Sequence, residues 1–170
     1  MTVDYKEDIM FDVRKFLWKE LVDTNIFNPD EYCHDEMNGE IIPILPVQQS
    51  PELNQFFSGK KHLVYDKIGI AYEDNWAICC EQLLFTIYAT EVSEIAEIRN
   101  LLTDLFRRMD DSARDMNRSG VISNKFKFYS MYIADISPTG PSDELKGFFS
   151  AEVVLEIKYS RILDPLGRFN

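Results

Sequence analysis

One stretch of the chain, residues 76–117, limits the possible folds more than any other. It opens with a β-prone run at residues 76–89 and then passes through Ser93 into a long amphipathic helix pattern. Ser93 suits a helix N-cap, and apolar residues at helical spacing follow it. We therefore expect one helix over residues 94–117, roughly 36 Å long at 1.5 Å per residue. A strand that feeds a helix of similar length predicts a sheet with one helix laid along it.

The remaining patterns predict a single α+β domain over residues 1–170. An apolar stripe at helical spacing predicts an N-terminal helix over residues 4–22. Residues 62–71 predict a strand, interrupted near Asp66, that forms a hairpin with the run at residues 76–89. We expect a mostly antiparallel sheet that is packed by the N-terminal helix and by the long central helix.

The long strands differ in how their faces are covered. Along residues 76–89, apolar side chains point to both faces, with Leu83 and Phe85 on one and Leu84 on the other. This strand therefore needs cover on both faces. In the last strand, residues 148–159, apolar and polar residues alternate, which predicts one face in the core and one face in water.

A long C-terminal hairpin is predicted from residues 126–136 and 148–159, each about 35–40 Å long at about 3.3 Å per residue. The connection at residues 137–147 is rich in prolines, glycines and small polar residues, which favours a projecting loop. Asp143 and Glu144 lie in this loop, so we expect them to contact a neighbouring subunit or a partner.

Two segments are candidates for attachment to neighbours. Residues 41–51 are β-prone, but Pro43 and Pro46 lack the N–H that a strand ladder needs, so this segment predicts an edge strand or an extended arm. The C-terminal segment, residues 162–170, is apolar and basic and predicts either a docking tail or a frayed end. The arginines that we assign to the expected interface at this end are Arg161 and Arg168.

Charge and composition exclude several functional classes. The formal net charge is -11 at pH 7, which argues against tight binding to a phosphate backbone but is compatible with an acidic wall past which DNA slides. Three cysteines, Cys33, Cys79 and Cys80, cannot all pair within the chain, which favours a reducing compartment. The sequence has neither a signal-peptide pattern nor a run of about 18 apolar residues, so we predict neither secretion nor membrane insertion.

No constellation of residues predicts a catalytic, cofactor or metal site. Residues 33–36 place ligand-type side chains in a row, but consecutive positions cannot all face one ion, which favours a solvated acidic turn. Cys79 or Cys80 with His62 would make a thiol nucleophile and its base, whereas a mid-strand cysteine is more often a small core residue. Residues 58–61 lack the first glycine of a phosphate loop. We expect no enzyme activity.

The solvent face of the central helix carries three arginines, Arg107, Arg108 and Arg114. Opposite charges recur four residues apart, with Asp104 before Arg108 and Arg107 before Asp111. One interpretation is a solvated face with ion pairs that are each worth a few tenths of a kcal/mol. The other is an intersubunit ladder, in which these arginines meet carboxylates of the next copy.

The order of elements and two local strings resemble the tail terminator (tail completion) proteins of contractile-tailed bacteriophages. The order is a helix, a proline-bearing extended run, a hairpin, a long helix and a terminal hairpin. The strings are Gln-Leu-Leu-Phe-Thr-Ile-Tyr-Ala at residues 82–89 and Ile-Arg-Asn-Leu-Leu-Thr-Asp-Leu-Phe-Arg-Arg-Met-Asp-Asp-Ser-Ala at residues 98–113. The likeness in element order covers nearly the whole chain, and the likeness in sequence covers these two strings.

The resemblance implies a virion structural protein of the tail and neck that is assembled in the host cytoplasm and has no active site. Copies would form a hexameric ring that caps the tail tube and contacts the tail tube protein, the sheath and the head-side connector, while DNA passes through the lumen. Another neck or head-completion ring protein is a second interpretation, because small α+β folds serve many functions. The remaining rivals are a small-molecule-binding module with a pocket between the central helix and the sheet, and an enzyme that uses Cys79 or Cys80.

Overall fold

The structure, a computed structural model, describes residues 8–32, 41–48, 55–72, 78–123 and 125–162. In chain order its elements are helix α1 (Ile9–Asp23), a 3-10 helix (Pro29–Tyr32), strands β1 (Ile44–Pro46), β2 (His62–Tyr72) and β3 (Ile78–Ala89), helices α2 (Val92–Phe106) and α3 (Asp110–Asn117), and strands β4 (Phe126–Ile136), β5 (Gly140–Pro141) and β6 (Phe149–Arg161). The fold is α+β, which confirms the predicted class.

The strands form one sheet in the order β1-β2-β3-β6-β4, and the short β5 also pairs with β6. β1 runs parallel to β2, and the other described pairs are antiparallel. The predicted hairpin of β2 with β3 and the predicted pairing of the two C-terminal strands are both confirmed. A register shift between Lys67 and Gly69 confirms the interruption that was expected in β2.

The helices and the sheet share one hydrophobic core. Along β3, Cys79 to Ile87 are buried at every second position, and β6 shows the same alternation from Ala151 to Tyr159. The side chains of the helices meet this buried face, and the rings of Phe16 in α1 and Phe106 in α2 lie 6.4 Å apart between centroids. The period-two pattern of the strands therefore determines which face of the sheet the helices cover.

The single helix predicted over residues 94–117 is wrong, because the chain breaks into α2 and α3. Between them, Met109 has φ 45°, a conformation that side chains other than glycine adopt at a cost. Its carbonyl accepts hydrogen bonds from the N–H of Ala113, at 3.2 Å, and from the N–H of Met131 in β4, at 3.3 Å. The break thus turns the chain toward β4. The N-cap is also not Ser93 but Glu91, whose side chain makes no capping hydrogen bond.

Near the ends of the sheet, the expectation for the loop is corrected and one of the two alternatives for the proline-bearing segment is confirmed. The loop at residues 137–147 does not simply project, because β5 within it pairs with the start of β6. Pro46 and its neighbours form a short edge strand, as one alternative predicted, but this strand packs into the core, with Ile44 fully buried. The N-terminal helix begins at Ile9, where the Asp8 side chain accepts a hydrogen bond from the N–H of Met10 at 2.9 Å.

Candidate docking surface

Each outer edge of the sheet is hydrogen-bonded at one position to a side chain of the same chain. At β1, the Arg14 Nε donates to the carbonyl of Ile44 at 2.7 Å, and Pro46 has no N–H to offer. At β4, the side-chain amide of Asn117 donates to the carbonyl of Phe128 at 2.8 Å and accepts from the N–H of Phe128 at 3.1 Å. Asn117 therefore pairs with the strand edge as a neighbouring strand would. These contacts occupy backbone groups that an edge-to-edge interface needs.

The face of the sheet opposite the helices carries a different pattern. Residues directly paired across antiparallel strands point to the same face. One row across four strands is therefore Asp66, Leu84, Val154 and Asp135, from β2 to β4. This row has an apolar centre and a carboxylate at each end. Leu84 and Val154 are only half-buried, although the residues directly before and after each of them lie in the core.

We name this surface the open face, because none of the described helices covers it. It includes this row, the neighbouring row of Gln82, Glu156 and Tyr132, and the pair of Thr86 and Glu152 on the other side. Its residues are Asp66, Gln82, Leu84, Thr86, Tyr132, Asp135, Glu152, Val154 and Glu156. The sequence predicted that β3 needs cover on both faces. The described part of the chain covers one of them and leaves the open face partly uncovered.

A hydrogen-bonded carboxylate, Glu156, lies on the open face in the row of Gln82 and Tyr132. Glu156 accepts from Gln82 Nε2 at 3.1 Å and from Cys80 Sγ at 3.2 Å. Hydrogen bonds from Tyr132 and then from Gln82 lower the pKa of this carboxyl, so it carries its charge at neutral pH. Of the other carboxylates there, Asp66 and Glu152 are exposed and have no ion pair among the described residues. The open face is therefore acidic around its apolar centre.

One end of the open face is closed by the loop before β6. The Tyr88 hydroxyl donates to the carboxylate of Glu144 at 2.9 Å. His62 stacks on Tyr88 with 5.3 Å between ring centroids, and Phe148 meets both rings edge-on. Glu144 thus makes an intramolecular contact at the position where a partner contact was predicted.

The three arginines of the central helix region lie at the break between α2 and α3, and all are exposed. Arg108 pairs with Asp115 at 3.2 Å, and Arg114 pairs with Asp111 at 3.0 Å. The pairs predicted at i,i+4 around Arg108 are not the ones formed, because the break changes which residues are neighbours. Arg107 has no ion pair within the described residues. Exposed pairs of this kind contribute at most about 1 kcal/mol each.

The other residues of the predicted interface differ in exposure where the structure describes them. Asp143 and Arg161 are exposed, and the guanidinium of Arg161 lies 5.8 Å from the centre of the Phe126 ring. Pro43 is buried, which leaves little of it for a neighbour to contact. Arg168 and the predicted tail lie outside the described residues, as do residues 33–36. The structure therefore does not bring the predicted interface residues into one site.

The thiol and imidazole groups that would form a catalytic pair lie at opposite ends of the hairpin. His62 pairs with Tyr88, whereas Cys80 lies eight residues earlier on β3, about 26 Å away at 3.3 Å per residue. His62 is buried, which lowers its pKa. Burial and then the neighbouring Glu156 raise the pKa of the Cys80 thiol to about 11. The arrangement required for thiol catalysis is therefore not formed between these residues.

This thiol should react slowly with alkylating agents. With a pKa of about 11, Cys80 should react with iodoacetamide at pH 8 on the order of 100-fold more slowly than a free cysteine, because its thiolate is rare. Peptide mapping by mass spectrometry separates this site from Cys33, and fragment-ion spectra distinguish Cys80 from the adjacent Cys79. Glu156→Gln removes the nearby charge and should accelerate the reaction. A Cys80 that reacts as fast as a free thiol would restore the thiol-enzyme alternative.

The predicted ligand pocket between the central helix and the sheet is filled by side chains. The residues of α2 that face the sheet are fully buried, namely Ile95, Ile98, Leu102 and Phe106. A shallow groove of about 350 Å³ lies elsewhere, beside α1, and is lined by Lys15, Trp18, Lys19, Ile42 and Val121. The small-molecule-binding alternative thus loses the site that was predicted for it.

The open face is the main indication of function, because neither of two comparisons with known proteins gave a match. No protein-family model matches the sequence, and no curated protein matches it. The described residues contain no helix that is long and apolar enough to cross a membrane. They also contain no group of three histidine, cysteine or acidic residues placed to hold a metal ion.

Proposed function

We propose that the protein is a virion structural protein that forms a ring at the head-proximal end of a contractile phage tail. The ring ends polymerisation of the tail tube and docks the tail to the head-side connector. The observation that carries this proposal is a sheet with one broad open face, whose outer edges are hydrogen-bonded to Arg14 at Ile44 and to Asn117 at Phe128. Such a sheet is suited to docking by its face, and pairing through its edges is hindered at these two positions.

The resemblance to tail terminators supplies the identity of the partners. The string at residues 82–89 belongs to β3, the central strand of the sheet, and the string at residues 98–113 spans the break between α2 and α3. The resemblance thus rests on the two elements that carry the open face and the exposed arginines. A ring of about six copies, with tail tube, sheath and connector as partners and DNA passing through the lumen, follows from that resemblance.

The acidic balance supports a ring through which DNA passes without being held. The chain has a formal net charge of -11, and a lumen with like charge to DNA raises the cost of close contact. Filter binding with double-stranded DNA at low salt should therefore detect no tight complex, since counterion release requires clustered cations.

Tube capping gives a direct test. Tubes are polymerised from the tail tube protein of the same phage, with and without substoichiometric amounts of this protein, and are imaged by negative stain. We expect a ring on one end of each tube and a shorter, narrower distribution of tube lengths, because a capped end adds no further subunits. Tubes that grow without the protein serve as the control.

The same experiment separates the two neck assignments. Unchanged tube lengths and bare tube ends would contradict the terminator function. If rings instead bind only purified head-side connector, the protein is another neck ring, and its role lies in head completion.

A further inference from the structure

We infer that the part of β2 beyond β1, residues 66–72, takes up one more strand, and that residues 1–7 of the same chain supply it. We name residues 66–72 the free edge. Residues 1–7 themselves lie outside the described residues. The added strand forms within one chain, so it does not depend on the proposed ring.

The free edge begins where β1 ends. The three residues of β1 pair with Leu63, Val64 and Tyr65, and the N–H of Val47 donates one further hydrogen bond to the carbonyl of Tyr65 at 3.0 Å. β2 continues to Tyr72, and among the described residues this remainder pairs with β3 alone. Its outward-facing N–H and C=O groups are therefore available to an added strand.

Two isoleucines on the free edge are exposed to solvent. Ile68 is 48% exposed and Ile70 is 57% exposed. Ile70 pairs directly with the buried Glu81, so it lies on the face of the sheet that the helices cover elsewhere. An apolar strand with an unpaired edge is a template for other chains, and folded proteins usually cover or blunt it. The sheet is therefore incomplete at the free edge.

The start of α1 is fixed beside the free edge. The Nζ of Lys67 donates to the carboxylate of Asp8, the N-cap of α1, at 2.7 Å. The same Nζ lies 3.7 Å from the buried carboxylate of Glu81, so carboxylates of two elements hold it. Residues 1–7 therefore join α1 next to Lys67. Because β1 occupies β2 as far as Tyr65, the unpaired length of β2 leads from this anchor toward Tyr72.

The backbone and the length of the segment before α1 suit a strand on this edge. Asp8 has φ -104° and ψ 134°, so the chain enters α1 in an extended conformation. Extended, residues 1–7 span about 23 Å at 3.3 Å per residue, and residues 66–72 span the same length. A segment that leaves Asp8 toward Tyr72 runs antiparallel to β2, which is the orientation in which β2 already pairs with β3.

The sequence of residues 1–7 has the alternation of a half-buried strand. It reads Met-Thr-Val-Asp-Tyr-Lys-Glu and places Met1, Val3 and Tyr5 at every second position, with polar residues between them. Valine and tyrosine both favour strands. Opposite residues on one face of paired strands have Cβ atoms about 5 Å apart, so Ile70 gains an apolar neighbour from the added strand.

A buried carboxylate oxygen next to the anchor lacks a hydrogen-bond partner. Glu81 is 4% exposed, and its Oε2 accepts no hydrogen bond within the described part of the chain. Buried polar atoms are nearly always hydrogen-bonded. Since Asp8 and Glu81 contact the same ammonium group, the donors of Tyr5 and Lys6 are the nearest along the chain before α1. A strand formed by residues 1–7 brings such a donor to this oxygen.

Residue-resolved NMR on the full chain tests the assignment. We expect nuclear Overhauser contacts between backbone protons of residues 1–7 and those of residues 66–72, in the pattern of antiparallel strands. The outward-facing amides of the free edge should exchange with solvent about 10–100-fold more slowly than unprotected amides, because exchange then requires local opening. Outward-facing amides that exchange freely, with no contacts to residues 1–7, would contradict the added strand.

A double proline variant, Val3→Pro with Lys6→Pro, removes donors from the added strand. Positions 3 and 6 differ in parity, so one of the two lost N–H groups faces β2 in either register. The outward-facing amides of the free edge should lose their protection, whereas the amides that pair with β3 should keep theirs. The matched control, Val3→Ile with Lys6→Arg, keeps both N–H groups and the charge and should stay protected. Protection that persists in the proline variant would mean that another segment covers the free edge.

A mixture of isotope-labelled and unlabelled protein identifies the source of the strand. Contacts within one labelled chain support the assignment, whereas contacts found only between labelled and unlabelled copies would overturn it, because a neighbouring copy then supplies the strand. Tube capping tests the ring separately. A bare free edge would therefore leave the proposed ring in place, and bare tube ends would leave the added strand in place.

Discussion

Replacing Phe106 by alanine should lower the free energy of unfolding by about 3–5 kcal/mol. Phe106 is the last residue of α2, is fully buried, and lies 6.4 Å from the ring of Phe16 between centroids. Its removal takes away buried apolar surface and leaves a cavity between two helices and the sheet. Urea unfolding gives the free energy directly, and the midpoint of thermal unfolding should fall by roughly 6–20 °C for a chain of this size.

The control for this prediction is Asp104→Ala, which changes an exposed residue on the same helix and should alter stability by less than about 0.5 kcal/mol. A loss below about 1 kcal/mol for Phe106→Ala would mean that the space between α2 and the sheet is loosely packed. That result would reopen the alternative of a ligand pocket at this position, because the filled interface is the observation against it.

The C-terminal strand was predictable from sequence because its core-facing apolar residues recur at every second position. In β6, apolar and polar residues alternate from Ala151 to Tyr159, and a shift by one residue would expose the whole apolar set. The register of the sheet follows from that constraint. The same alternation identifies Glu152 and Glu156 as outward-facing, although it does not indicate what they face.

The break in the central helix was not predictable, because its sequence contains neither glycine nor proline. The apolar positions of α3, Ala113 and Met116, continue the stripe of α2 closely enough to suggest one helix. At the break, the carbonyl of Met109 accepts a hydrogen bond from the N–H of Met131, which is 22 residues later in the chain. Long-range partners of this kind override helix propensity, and an isolated sequence does not reveal them.

The groups that close the sheet edges also escape prediction from one sequence. Arg14 and Asn117 lie in helices, where both residue types are ordinary surface residues. Their role depends on the strand that packs beside them, 30 and 11 residues away in the chain, respectively. The available signal was Pro46 in β1, which predicted an edge but did not indicate that a side chain from a helix binds it.

Asn117→Ala should destabilise the protein by about 1.5–3 kcal/mol and promote irregular association. The substitution removes two hydrogen bonds and leaves the N–H and carbonyl of Phe128 without these partners at a part-buried position. An unpaired strand edge is also a template for another chain. Urea unfolding measures the first effect, and multi-angle light scattering after size-exclusion chromatography measures the second.

Asn100→Ala is the matched control, because it makes the same substitution at an exposed residue of α2 and should change neither quantity appreciably. Asn117→Asp keeps the acceptor for the Phe128 N–H but loses the donor, so its stability should lie between those of Asn117→Ala and the unmodified protein. Regular rings of unchanged size in Asn117→Ala would show that the edge of β4 does not need protection. The preference for docking by the open face over pairing at the edge of β4 would then require another cause.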